Sequence, residues 1–184
     1  MTSTDFHAPD PVGRLLLRLS TFVAILGGLS LLFVIVVIVY AIVARQAAGL
    51  DLDILPVLTG DFELVELGAA VAIFAFLPYC QMVRANVAVD FFTQNASARM
   101  KAALDLLGNA IFAAIAIVIL LQTHQGLLDK MRYMESTMVL RIPVWWGYVP
   151  AVAFLALLVA VTLYTCVRAV REYRQAGPAT AGRS

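Results

Sequence analysis

Charge is scarce in this chain. Asp, Glu, Lys and Arg make up 14% of its 184 residues, against about a quarter in a soluble domain. So little charge cannot cover a water-facing surface. A net charge of +1, with no basic cluster interleaved with aromatics, also leaves no electrostatic footprint for nucleic acid. Histidine is rarer still. His7 and His124 are the whole supply, and a membrane haem asks for paired axial imidazoles on facing helices, so an electron-transfer anchor fails on count. The two cysteines, Cys80 and Cys166, both fall in apolar runs. They provide neither a disulfide framework nor a zinc set and read as small packing residues. A phosphate-cradling glycine loop, a metal-ligand spacing and an activated Ser or Cys are all missing. No cofactor, no metal and no enzyme chemistry is expected.

What the chain has instead is apolar length: 62% of it is hydrophobic. Residues 19–44 carry no charge. That run is too long for the roughly 7–15-residue apolar core of a cleaved signal peptide, so a retained first span is predicted there. The second span, 63–84, opens among Asp61, Glu63 and Glu66 and closes on Arg84. Its uncharged part is about 17 residues, a rise of ~25 Å as a helix, which just crosses a bilayer core. Pro78 removes a backbone hydrogen bond within it and predicts a kink near the Arg84 end. A third span is predicted over 102–128, with Ser97 placed to cap its helix and Asp105 about one turn inside. The fourth runs over 143–167. Pro143 suits a first helical turn, and Trp145, Trp146 and Tyr148 suit the headgroup level.

Between the second and third spans, Val87, Val89, Phe91, Phe92 and Ala96 alternate with polar residues. This mixture predicts a short interfacial helix over 87–96. Small residues recur every four positions at Ser20, Ala24 and Gly28, at Ala110 and Ala114, and at Ala156 and Ala160. They predict close helix packing. The expected fold is all-α, a single integral membrane domain over 1–184 with four transmembrane helices.

Four spans put both termini on one side. The lead, middle loop and tail hold nine basic residues, and the other two loops hold four: Arg45, Lys130, Arg132 and Arg141. The positive-inside rule then places both termini in the cytoplasm and the acidic mouth of the second span outside.

Ionisable residues within spans are functional candidates by default. Glu63 and Glu66 stand three apart and share a helical face, as a small oligomeric ion-coupled transporter acting alone would require. Yet both sit at the mouth, and no acid occupies the middle of a span. Partner contact or a structural role is the favoured reading for Glu66. Arg84 reads as a topology anchor and specific contact, and Asp90, before Phe91 and Phe92, as a helix cap.

Two motifs then carry a resemblance. The acidic opening with Glu66, the span closing on Arg84, and Asn86-Val87-Ala88-Val89-Asp90 resemble the Arg…His-Ile-x-Val-Asp pattern of the small membrane subunits of tripartite ATP-independent periplasmic (TRAP) transporters, the DctQ type. Leu140-Arg141-Ile142-Pro143-Val144-Trp145-Trp146-Gly147-Tyr148-Val149-Pro150 resembles that family's Ile-Pro-x-Trp…Tyr…Pro stretch. Asn86 departs from the pattern where histidine is common; it can hydrogen-bond but cannot gain charge near neutral pH. The resemblance implies a scaffold in the bacterial inner membrane, bound to lipids and to a much larger elevator-type membrane subunit. A periplasmic substrate-binding protein would dock on an outer face that includes residues 45–62 and 129–148. A sodium gradient would drive uptake of an organic acid.

Overall fold

The computed structural model describes residues 11–50, 55–83 and 98–175. Four helices organise them: α1 (Pro11–Gly49), α2 (Asp61–Met82), α3 (Ala98–Arg132) and α4 (Trp145–Gln175). All four contain stretches long and apolar enough to cross a membrane. The interfacial helix expected over 87–96 lies outside the described residues, as do Arg84, Asn86, Asp90 and Ser97.

The helices outrun the uncharged stretches because charge ends a span without ending a helix. α1 starts at Pro11, where a missing N–H is harmless, and carries Arg14 and Arg18 within it. α3 likewise takes in Asp105 near its start and Lys130 and Arg132 in its last turn, where cations suit the helix dipole. α2 continues past Pro78 and stops at Met82. Pro143 does not open α4: it stands two residues before Trp145 and bridges to Ser136 across a loop. Its carbonyl accepts the Trp146 N–H at 3.1 Å.

The packing order is a row, α1–α2–α4–α3, with α2 and α4 inside and a slight further contact between α1 and α4. The stripe that joins α1 to α2 is not the four-residue one. Gly13, Ser20, Gly27, Val34 and Ala41 are buried at seven-residue intervals, interleaved with Val23, Val37 and Ala44. That is the seam of a left-handed helix pair. At Gly27 the backbones come so close that a β-carbon would stand 2.8 Å from the Ala75 β-carbon, whereas Gly28 meets nothing within 4 Å. Ala110, Ala114, Ala156 and Ala160 are exposed in the same way. Ala113 and Ala116 of α3, with Ala151, Leu155 and Leu158 of α4, take the buried places. Ala116, Leu155 and Leu158 form a core against which Phe74, Leu77, Phe112, Leu120 and Val159 pack. Spacing reveals that a helix has a small-residue stripe; it does not reveal which of several stripes meets a neighbour.

Candidate functional site

Two polar constructions stand out from the apolar packing, one at each end of α2. At the start of α2, Gly60 takes a left-handed backbone conformation (φ 100°). The Leu140 side chain fills the space where a β-carbon would sit, 2.7 Å from that point. An L-residue here would meet both a backbone penalty and a clash. One residue later, Asp61 is nearly buried and binds Arg45 of α1 at 2.5 Å. Arg45 also donates from Nε to the Ala41 carbonyl and lies 5.9 Å over the Phe62 ring. The Tyr40 hydroxyl donates to the Pro56 carbonyl at 3.1 Å. These contacts fix the α1–α2 connection.

Glu63 completes this end. Its carboxylate accepts the Val139 N–H at 2.8 Å and the Leu140 N–H at 2.9 Å, one on each oxygen. The held segment is a small hairpin between α3 and α4. The Thr137 N–H donates to the Ile142 carbonyl and the Ile142 N–H to the Thr137 hydroxyl. The Val144 N–H donates to the Glu135 carbonyl, and Glu135 pairs with Lys130. Met134 and Arg141 both adopt left-handed conformations, φ 51° and 54°.

Of the expected site residues, Glu63 therefore works inside the chain. Glu66 does not join it: it is exposed on the outer side of α2 and forms no hydrogen bond or ion pair among the described residues. The pair does not share a passage between helices. Trp145 and Tyr148 are half-buried and Trp146 is exposed. The two indoles meet edge to face at 6.1 Å. Tyr148 packs over Gly126 of α3, and Leu67 of α2 over Gly147. The aromatic segment thus binds both neighbouring helices.

At the other end lies a cluster that sequence reading passed over. Gln81 of α2 is only 4% exposed. Its amide nitrogen donates to Asn109 Oδ1 of α3 at 2.9 Å and to the Thr165 hydroxyl of α4 at 3.2 Å. Asn109 in turn donates to the Asp105 carbonyl, and Thr165 to the Thr162 carbonyl. Two amides in otherwise apolar runs were the available signal, because a buried amide must find partners where lipid offers none. The cluster can hold helices together. Among the described residues no set of His, Cys, Asp and Glu is disposed to hold a metal.

A family model decides the classification. Tripartite ATP-independent periplasmic transporters, DctQ component, matches residues 34–172. The chain belongs to the DctQ component family. That match spans α2, the hairpin and α3, together with the last part of α1 and most of α4. The DctQ component is a transporter part, and the four apolar helices make it a multi-pass membrane protein. No curated protein and no solved structure matches the chain.

Proposed function

We propose that this DctQ component is the small scaffold subunit of a TRAP transporter. In that role it lies in a bacterial inner membrane with both termini in the cytoplasm and binds the large elevator-type subunit. It helps dock a periplasmic substrate-binding protein during sodium-driven uptake of an organic acid, and itself conducts nothing. The observation that carries this reading is where its polar groups go. Among the described residues Asp61 is the one buried charge, at the very start of α2 and paired to Arg45. Glu63 is occupied by the hairpin, and the Gln81 amide nitrogen is bound by Asn109 and Thr165 on the two neighbouring helices. A carrier needs an ionisable or coordinating group part-way across, and α2 offers that only at its mouth.

Glu66 is left free for a partner subunit, while Trp145, Trp146 and Tyr148, preceded by Pro143, set depth at the headgroups. Arg84, Asn86 and Asp90 keep their expected structural or partner-contact roles in the segment after α2.

The test is reconstitution. Co-expressed with its large subunit, the chain should co-purify in detergent, and liposomes should accumulate solute only when both subunits and the soluble binding protein are present. Uptake by liposomes that contain this chain alone would overturn the proposal.

A further inference from the structure

The arginines at the two ends of α1 are treated differently. Between Arg18 and Arg45 the helix carries no charge. At ~1.5 Å per residue that stretch rises ~40 Å, about the thickness of a bilayer with its headgroups. Both arginines therefore stand near phosphate depth. Arg45 is satisfied inside the protein, by Asp61, the Ala41 carbonyl and the Phe62 ring. At the other end Arg14 and Arg18 are exposed, and neither forms a hydrogen bond or ion pair among the described residues. They lie one helical turn apart and prolong the outward apolar stripe of α1. Arg14, Arg18, Phe22, Ile25, Leu29 and Leu32 follow one another at steps of three or four residues, all exposed. No acid anywhere on α1 neutralises the pair.

From this we infer that Arg14 and Arg18 form a site for the headgroup of an anionic phospholipid whose acyl chains lie along the Phe22–Leu32 stripe. The leaflet is the one in which α1 begins, cytoplasmic in the orientation proposed above, and the site does not depend on the scaffold role. A guanidinium meets a phosphate through a fork of two hydrogen bonds. One turn of helix sets the second guanidinium close enough to share the same headgroup. Every phospholipid offers a phosphate, but a zwitterionic headgroup brings its own cation to the arginines, whereas a net negative one does not. Attraction of this kind accumulates with each basic residue at the surface and is screened by salt. A protein carboxylate is the weaker occupant, because it would have to displace lipid from a stripe whose other members are apolar.

The experiment titrates the full chain in detergent micelles with dioleoylphosphatidylglycerol or dioleoylphosphatidylcholine and counts bound lipid by native mass spectrometry. The first phosphatidylglycerol should bind about tenfold more tightly than the first phosphatidylcholine. Arg14→Gln combined with Arg18→Gln should bring the two lipids to within about twofold of each other. Arg14→Lys with Arg18→Lys should keep a preference, and so should Arg171→Gln with Arg174→Gln on α4. Native helical content and melting temperature in phosphatidylcholine nanodiscs show that each variant folds. The phosphatidylglycerol headgroup without acyl chains should not displace the lipid at equal concentration. Equal binding of the two lipids by the native chain would overturn the inference and leave the arginines to a protein carboxylate. A full preference surviving in the Arg14→Gln/Arg18→Gln chain, or one lost equally in the α4 variant, would also overturn it. Displacement by the free headgroup would do the same, by making the site one for any small anion.

Discussion

A primary amide inside a span has to be satisfied by protein, and Gln81 is satisfied twice, by Asn109 and Thr165. Gln81→Leu would leave Asn109 Oδ1 without its donor in an apolar setting. Interhelical hydrogen bonds in membranes are worth roughly 0.6–2 kcal/mol, and an orphaned partner adds to the loss. Gln81→Leu should therefore lower stability by about 1–2 kcal/mol in detergent unfolding. The double variant Gln81→Leu/Asn109→Leu should cost less than the two single losses added, since neither amide is then stranded. Strict additivity would show that the pair does not interact. The two adjacent glycines of α1 offer a second comparison. Gly27→Ala pushes a β-carbon against Ala75 and should destabilise by roughly 1–3 kcal/mol through overpacking. Gly28→Ala meets open space and should be neutral or gain up to about 1 kcal/mol from helix propensity. Equal effects at the two sites in the same assay would contradict the seven-residue seam.

For the elements, the hairpin depends on α2 more than on its own sequence. Its residues hold one another by a few bonds, and Glu63 supplies two more from 76 and 77 positions away. Glu63→Gln keeps the shape but replaces one accepting oxygen with a donor that cannot receive an N–H. The Val139 and Leu140 amides should then exchange with deuterium distinctly faster, while amides in the middle of α2 keep native protection. Unchanged exchange at both would mean that the hairpin stands without its clasp. This division also explains what was legible in the sequence. Four helices could be read because long uncharged runs have few alternatives in lipid. The packing faces could not. Ser20 was on the right stripe, but Gly28, Ala114 and Ala160 were chosen by a four-residue spacing that several faces of one helix satisfy. Nor could the roles of Glu63 and Asp61 be read, because their partners lie on other elements and nothing local distinguishes an acid that staples a loop from one that faces a partner. Gln81 and Asn109 were visible as polar interruptions, and the rule that such groups must pair would have found them.

On the scale of the whole molecule, a row of four helices leaves broad faces uncovered, and those faces differ in chemistry. α1 turns outward Phe22, Ile25, Leu29, Leu32, Val36 and Val39, and α3 turns outward Leu107, Ile111, Ile115 and Val118. Such surfaces suit lipid without further help. α2 is the least hydropathic of the four spans. Its outward stripe of Phe62, Glu66, Ile73 and Cys80 sets one acid among apolar groups. Glu66 adjoins Leu67, which packs over Gly147 between Trp146 and Tyr148. It therefore lies level with the aromatic segment; at the headgroup depth proposed for that segment a carboxylate can reach headgroups but does better against a donor from another helix. If the large subunit seats on this stripe, a charge reversal and a bulky side chain on α2 should disturb assembly, whereas bulk on α1 or α3 should not. Glu66→Lys and Ile73→Trp are each expected to cut the co-purified large subunit by at least about tenfold, equivalent to roughly 1.4 kcal/mol. Leu29→Trp on α1 and Ile111→Trp on α3 should leave the yield of complex unchanged. The reverse pattern, with assembly lost through α1 or α3 and kept through α2, would move the seat to the other side of the row while leaving the chain a transporter component.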